Sequence, residues 1–333
     1  MTTYVFLPPM ARVSGGLAVL MQMAEHLHQS DFKVRIVPRE SGRPVLPTWL
    51  SVPAVDWNRL ELREQDIWLV PEGWVNALTP GLQASAKCVV YVQNWAYLFS
   101  SLPNGVSWHD LPVSFLAVSR PVAWFIEQTL GRKCPVLRPG IDRSIFHPPL
   151  RKPDGPLRVA YMPRKNKAQV EMIRAIITAR NPGLSLPDKL LWEEIHGQDQ
   201  HGVARVLQRA HIFLATGYPE GFSLPPLEAM ACGCLAVGFT GFGGWEYMTQ
   251  IEQEGWRPWW PIPTSPWPGN GYWVPDGDAL AAALALERAV RLWTDAAVQE
   301  REQALRAGQQ TAQAFDLDAQ RGQVIDVWRG INA

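Results

Sequence analysis

The chain has 333 residues, with 31 basic and 31 acidic side chains and no formal net charge. This length allows two domains of ordinary size, and the balanced charge provides no basic field for nucleic acid, which is therefore not expected as a partner. No apolar run approaches the roughly 18 residues of a transmembrane helix, and the first residues do not read as a signal peptide. The expected location is the cytoplasm.

Short apolar runs alternate with helical patterns through the first half of the chain. The first run, Tyr4–Leu7, is followed by the paired glycines Gly15 and Gly16 and by apolar residues at helical spacing from Leu17 to Leu27. Later strand-like runs lie at 33–38, 66–71, 88–92 and 113–118, and a helical pattern lies at 121–130. The alternation predicts a parallel sheet with both faces covered, which binds ligands at the carboxyl ends of its strands.

Polar residues stand at three of these strand ends: Glu72, Gln93 and Ser119. The Gln93 amide can hold a sugar hydroxyl but cannot act as a base, so no general base is assigned there. His109, in the next loop, is either a substitute for that base or an ordinary surface histidine. Gly15 and Gly16 allow a ligand close to the backbone at a helix N-terminus, which attracts anions, although a simple tight turn is an equal alternative.

A segment rich in proline and charge, 147–156, predicts a domain boundary. After the next strand-like run, Arg164, Lys165 and Lys167 gather on a loop that leads into a helix. Arginine binds phosphate through two parallel bonds and lysine acts as a point charge, so this loop is a candidate diphosphate site. A solvated basic loop is the alternative.

The stretch from 215 to 233 carries the main motif. It follows the apolar run Ile212–Ala215, and it contains Glu220 and Glu228 with seven residues between them. A short helix is expected after the loop, with prolines in its first turn and a left-handed glycine at its end. Four backbone N–H groups would form an anion cradle beside the carboxylates, those of Gly221, Phe222, Ser223 and Leu224. A ligand with a phosphate and a diol fits this arrangement, and a strand–loop–helix with two solvated glutamates is the alternative.

This stretch resembles the signature of the retaining glycosyltransferases of family 4, which have the GT-B fold, and departs from its usual form only at Ser223. The resemblance implies that Glu228 holds the ribose hydroxyls of the donor and that Glu220 contacts the transferred sugar. It also implies that Gly15 and Gly16 meet the donor phosphates. In many relatives a histidine stands where this chain has Gln93. The family places an Arg and a Lys on its phosphate loop; in this chain the loop is shorter, so Arg164 corresponds to the Arg, and the Lys is either Lys165, the first choice, or Lys167.

The resemblance implies an α/β chain with two Rossmann-like domains facing across a cleft. The expected division is 1–150 for the N-terminal, acceptor-side domain, 151–314 for the donor-side domain and 315–333 for a helix that crosses back to the first domain. The predicted activity is transfer of a sugar from a nucleoside-diphosphate sugar to a carbohydrate or glycoconjugate hydroxyl, with retention. Glu220, Arg164 and Lys165 are the predicted catalytic residues. A non-catalytic nucleotide-sugar-binding subunit and a GT-B epimerase or sugar-phosphate synthase remain as alternatives.

Neither a metal nor a cofactor is expected. Two carboxylate pairs, Asp276 with Asp278 and Asp316 with Asp318, have the spacing that metal-dependent glycosyltransferases use, but both precede helices, where aspartate is a preferred cap. The tryptophan-rich segment 250–273 is the other unusual feature. Its aromatic rings suit either an acceptor sugar or a lid that packs without a ligand.

Overall fold

The computed structural model describes residues 1–9, 15–39, 46–164, 166–181, 190–295 and 297–332. The chain forms two compact units: unit 1 contains Met1–Gly140 and Asp318–Ala333, and unit 2 contains Ile141–Leu317. The sequence predicted these divisions after residues 150 and 314. The segment from Ile141 belongs to unit 2 because Ile141 pairs with Asp316 and its N–H donates to the carbonyl of Phe315 at 2.9 Å.

Unit 1 is built on a parallel sheet with the strand order β2-β1-β3-β4-β5. Its strands are β1 (Thr3–Leu7), β2 (Val34–Pro38), β3 (Ile67–Pro71), β4 (Lys87–Val92) and β5 (Val113–Ala117). All five fall on the apolar runs found in the sequence, and their side chains fill the core because both faces of the sheet are covered. The predicted parallel sheet is confirmed.

The helices of unit 1 are α1 (Gly15–Gln29), α2 (Thr79–Gln83), α3 (Tyr97–Ser100), α4 (Arg120–Leu130) and α10 (Leu317–Asn332). Ser119 begins α4 as its N-cap, where its hydroxyl accepts the N–H of Val122. The C-terminal helix α10 is tied to the first strand because the indole N–H of the buried Trp328 donates to the Thr3 hydroxyl at 2.9 Å.

Unit 2 has a second five-stranded parallel sheet, with the order β10-β9-β8-β6-β7. Its strands are β6 (Leu157–Tyr161), β7 (Leu190–Glu194), β8 (Ile212–Ala215), β9 (Leu235–Phe239) and β10 (Gly271–Val274). Its helices are α5 (Lys167–Arg180), α6 (Gln200–Arg209), α7 (Leu224–Ala231), α8 (Ala279–Thr294) and α9 (Val298–Ala314). Each unit is therefore a Rossmann-like domain of alternating strands and helices.

Two elements of unit 2 are absent from the sequence-based prediction, β10 and α9. The buried positions of α9 are small or polar, Ala304, Ala307, Gly308, Thr311 and Ala312, so the helix lacks a stripe of large apolar residues. Its close packing depends on that small size, because a Cβ at Gly308 would lie 3.2 Å from Cγ of Met230. Across the described ranges, no helix has the length and apolar character needed to span a bilayer.

Candidate functional site

The motif-bearing segment of unit 2 has the predicted strand–loop–helix form. The strand β8 is completely buried, and the loop that follows it ends at Ser223, whose φ of 68° and ψ of 74° lie in the left-handed region. Proline in the first turn of α7 sacrifices no intrahelical hydrogen bond. Gly233, with φ of 72°, follows the helix as expected, and Leu227 and Met230 face the core.

Arg164, Glu220 and Ser223 line one cavity in unit 2. The cavity lies at the carboxyl ends of β6 and β8, since it is also lined by Met162 and by Ala215. This is the edge at which parallel α/β sheets bind ligands. The structure thus brings together a guanidinium, a carboxylate and the start of a helix. Lys165 lies outside the described residues.

Asn166 connects the two loops that form this cavity. Its side-chain amide donates to the carbonyl oxygens of Thr216 and Tyr218, both at 3.0 Å. Its backbone is left-handed, with φ of 61°, a conformation that asparagine tolerates better than most residues. The Arg164 loop is therefore fastened to the loop that carries Glu220, and Asn166 is a positioning residue that sequence reasoning missed.

The backbone of Glu220 is held from both sides by the loop after β9. Its N–H donates to the Gly241 carbonyl at 2.9 Å, and its carbonyl accepts the N–H of Gly243 at 3.0 Å. A Cβ at Gly243 would lie only 1.8 Å from the Gly221 carbonyl oxygen, so this approach requires glycine. Asp276 fixes the loop in turn, because one of its carboxylate oxygens accepts the N–H groups of Thr240 and Gly241 at 3.0 and 2.9 Å.

The two carboxylates of the Asp276–Asp278 pair therefore bind different parts of the chain. Asp278 caps α8 by accepting the N–H of Ala281 at 2.9 Å, as the sequence predicted. The expectation that Asp276 also serves as a helix cap is wrong, because its carboxylate binds the loop that supports Glu220. Burial raises the pKa of Asp276 above its usual value. Within the described ranges, no group of three or more His, Cys, Asp or Glu side chains is arranged to hold a metal ion.

Glu228 lies near the middle of α7 and is only partly exposed. Burial raises the pKa of its carboxyl from 4.5 to about 7. Its side chain makes no hydrogen bond or ion pair with any residue that the structure describes, so the carboxyl is available to a ligand group. Burial, with the charges of Glu228 and Glu220, raises the pKa of Tyr247, so both carboxylates lie near the same phenol.

Two of the four residues of the predicted anion cradle are buried. Gly221 and Phe222 are buried, and the ring of Phe222 packs against Tyr247 and Phe315 at centroid distances of 5.3 and 5.4 Å. The Phe222 side chain therefore belongs to the core, and only its backbone remains for the cradle. Ser223 and Leu224 lie at the start of α7, where N–H groups lack intrahelical partners. Binding of an anion there remains a prediction.

The predicted site residues of unit 1 also lie together. The Gln93 side chain donates to the Gly16 carbonyl at 2.9 Å, one residue after Gly15 begins α1, and a Cβ at Gly16 would lie 2.8 Å from Oε1 of Gln93. Behind them, the Glu72 carboxyl accepts the N–H groups of Gln93 and Asn94 at 2.9 and 2.8 Å. Burial raises the pKa of Glu72 to about 7. The backbone of Gln93 is thus held by Glu72, and its side-chain amide is oriented by Gly16.

His109 lies in a short 3₁₀ turn, Trp108–Asp110, and its side chain is exposed. This exposure agrees with the alternative that His109 is an ordinary surface histidine. The turn is stabilised by a capping box between Ser107 and Asp110. No contact ties His109 to Gln93 or Gly16 within the described part of unit 1.

Comparison with known proteins relates unit 2 to a sugar-transferring family. Residues 192–310 match the family model described as Glycosyl transferases group 1. An alpha-1,6-glucosyltransferase from Actinobacillus pleuropneumoniae serotype 7 (strain AP76) is 24% identical over 202 residues. That match covers 58% of this chain and 58% of the relative, so this chain spans little more than half the length of that protein.

Solved structures show the same fold over nearly the whole chain. Sucrose-phosphate synthase from Thermosynechococcus elongatus is similar with a TM-score of 0.68 at 16% identity, covering 99% of both chains. The apo form of the lipopolysaccharide outer core galactosyltransferase WaaB is similar with a TM-score of 0.62 at 12% identity, also over 99% of both chains. These likenesses, with the two five-stranded parallel sheets, give the chain a GT-B fold.

Proposed function

We propose that the protein is a retaining glycosyltransferase that moves a sugar, with a hexose as the first choice, from a nucleoside-diphosphate sugar to an acceptor hydroxyl without a metal ion. The observation that carries the proposal is Glu228, a carboxylate with a raised pKa and no partner within the described chain, on the helix that follows the Arg164–Glu220 cavity. The family match and the GT-B fold support the same reaction class.

The donor occupies unit 2 in this proposal. Glu228 accepts hydrogen bonds from the ribose hydroxyls, and Glu220 contacts the transferred sugar. Arg164 and Lys165 stabilise the negative charge that develops on the departing diphosphate. The N–H groups of 221–224 supply neutral donors beside them. In unit 1, Gly15, Gly16 and Gln93 are proposed to meet donor phosphate and sugar hydroxyl groups.

In this proposal the charge is stabilised without a metal, because the charged donors all come from the protein. A guanidinium and an ammonium together offset part of the negative charge of the nucleoside diphosphate, which increases as the bond to the sugar breaks. Asn166 and Asp276 fix the loops from which the reacting groups project. Such preorganised groups need no rearrangement as charge develops, which is the usual source of their effect on rate.

The acceptor is proposed to be a carbohydrate or glycoconjugate hydroxyl. The relatives named above support this class, because one is called an alpha-1,6-glucosyltransferase and another a lipopolysaccharide outer core galactosyltransferase. The proposed reaction therefore belongs to polysaccharide or glycoconjugate biosynthesis. The cytoplasmic location expected from the sequence stays a prediction.

A screen of nucleoside-diphosphate sugars, followed by donor cleavage with and without a metal chelator, tests the proposal. Arg164→Gln is expected to lower turnover by about a hundredfold while nucleoside-diphosphate affinity falls less, because the guanidinium acts mainly on the developing charge. Arg205→Gln, on the exposed face of α6, is the matched control. Donor binding without cleavage in the presence of acceptors would instead indicate a binding subunit. Conversion of the donor without transfer to a larger glycan would indicate an epimerase or synthase.

A further inference from the structure

The tryptophan-rich segment of unit 2 is fastened at both ends. Gln250 pairs with Gly271 at the start of β10. The Gln250 side chain also donates to the carbonyls of Trp256 and Trp273, at 2.8 and 2.6 Å, and accepts the N–H of Trp273 at 3.0 Å. The indole N–H of Trp267 donates to the Tyr247 carbonyl at 2.9 Å. One glutamine thus locks the segment onto the sheet, and the segment has a defined shape.

A cavity of about 250 Å³ lies under this segment, and we name it the tryptophan cavity. Trp245 and Thr249 line it from the chain before the segment, and Arg257, Pro263 and Ser265 line it from the segment itself. Its volume is below that of most pockets for larger ligands, so it suits a single ring and not an extended chain. Arg257 is the charged side chain among its lining residues.

Two residues of the cavity lining each carry a buried polar atom that lacks a hydrogen-bond partner among the described residues. The two atoms are the indole N–H of Trp245, a residue only 2% exposed, and the hydroxyl of Thr249. The backbone of Thr249 is satisfied, since its N–H donates to Asn270 and its carbonyl accepts from Trp273. Buried polar groups without partners are uncommon in proteins and are costly, so both atoms favour a ligand that carries oxygen atoms.

The remaining features of the lining narrow the ligand class. Arg257 is exposed and makes no ion pair with any residue in the described ranges, which leaves its guanidinium available to an anionic group. Ile262 and Pro263 supply apolar surface, which matches the C–H face of a sugar ring, and Ser265 adds a hydroxyl. One ring, several oxygen atoms and one negative charge describe an acidic sugar.

We propose that the tryptophan cavity binds one acidic sugar residue of a glycan, through the indole N–H of Trp245, the hydroxyl of Thr249 and the guanidinium of Arg257. The negative charge comes from a carboxylate, as in a uronic acid, or from a phosphate on the sugar. This binding goes beyond the proposed transfer reaction and does not depend on it.

The tryptophan cavity lies close to the turn that supports Glu220. Trp245 belongs to the 3₁₀ turn Gly243–Glu246, and the first residue of that turn donates its N–H to the Glu220 carbonyl. The occupant of the cavity therefore sits beside the turn that supports Glu220. If the proposed function holds, the glycan that the protein extends is anchored on the same unit as the donor.

Ligand-observed NMR titration with methyl glucuronide, glucose 6-phosphate and methyl glucoside tests the proposal on the whole chain. We expect at least one of the two anionic probes to bind about tenfold more tightly than the neutral glucoside. Arg257→Gln should abolish this preference. Thr249→Val, which keeps the shape of the side chain and removes the hydroxyl, should weaken binding several-fold, and Trp245→Phe, which removes the indole N–H, should do the same. Arg205→Gln on α6 should bind like the wild type.

The opposite results would overturn the proposal. They are no binding of any probe, equal binding of the neutral and anionic probes, or unchanged binding by all three cavity variants. A Glu228→Gln variant separates this site from the donor site. It is expected to retain glycoside binding, and loss of that binding would place the glycoside in the donor cavity and refute the proposal. The cavity variants should keep wild-type affinity for nucleoside diphosphates, whether or not the transfer reaction occurs.

Discussion

Replacing Glu228 with glutamine removes the ionisable group and preserves the side-chain volume, so stability and donor affinity are expected to change in opposite directions. Burial raises the pKa of the Glu228 carboxyl from 4.5 to about 7. The folded-state pKa therefore exceeds the unfolded one. The protonated carboxyl contributes stability that is fully present below about pH 4.5 and is lost as the pH rises through about 7.

The size of the stability effect follows from this pKa. The rise corresponds to about 3 kcal/mol between the two protonation states, and because the side chain is partly exposed we expect about 1–3 kcal/mol after solvent screening. Glu228→Gln should therefore raise the free energy of unfolding by about that amount at pH 8, and should change it little at pH 4. Chemical denaturation at the two pH values measures the difference.

Donor affinity is expected to fall in the same variant. A hydrogen bond to a charged group contributes about 1.5–3 kcal/mol, so loss of the carboxylate should weaken nucleoside-diphosphate binding about ten- to a hundredfold. Ribose hydroxyls bond best to the ionised carboxylate. Since about half of the Glu228 carboxyls are protonated at pH 7, binding should release about 0.5 proton more from the wild type than from the variant.

Titration calorimetry in two buffers with different ionisation enthalpies measures affinity and proton release together. Comparing the wild type with Glu228→Gln cancels the titration of the diphosphate itself. Glu171→Gln, on an exposed position of α5, is the matched control. Unchanged affinity and proton release in Glu228→Gln would remove this residue from the donor site. Unchanged stability at pH 8 would refute the argument from burial.

Three further predictions concern the groups that shape the loops. Asn166→Gly keeps the left-handed backbone but removes two hydrogen bonds, so steady-state kinetics should show turnover reduced about tenfold or more with the fold retained. Asp276→Ala leaves two backbone N–H groups without an acceptor and should cost about 2 kcal/mol or more in the free energy of unfolding, whereas Asp276→Asn retains an acceptor and should cost less. Ser223→Gly relieves a left-handed backbone and should raise the free energy of unfolding by about 1 kcal/mol, while Ser223→Ala should not; equal stability of these two would contradict the strain argument.

The fold was largely predictable because most of its elements have strong local patterns. Nine of the ten strands in the described part of the chain coincide with short apolar runs, and α1, α4 and α5 have large apolar residues at helical spacing. The tenth strand, β10, directly follows a proline-rich stretch, and most of it was assigned to the tryptophan-rich segment 250–273. The helix α9 buries alanine, glycine and threonine, and its packing against Met230 is a tertiary match that no local pattern reveals.

The site was predictable only where its residues are contiguous. Glu220, Ser223 and Glu228 lie in one motif, and the structure places Arg164 in the same cavity as the first two. Asn166 was not foreseen, because its effect depends on a contact with a loop 50 residues away. Asp276 resembled a helix cap from its spacing, and only the folded chain shows its carboxylate on the Thr240–Gly241 backbone.

The two glutamates of the motif owe their proposed roles to different physical causes. Glu220 is placed by its backbone, which pairs with Gly241 and Gly243, and the first of these glycines is held by the Asp276 carboxylate. The pKa of Glu228 is raised because the carboxyl is buried and has no partner among the described residues. Its position depends on the helix α7 alone. A change at Asp276 therefore shifts the first carboxylate and leaves the environment of the second largely intact. The proposed roles of the two glutamates, sugar positioning and nucleotide affinity, are therefore expected to respond separately to substitution.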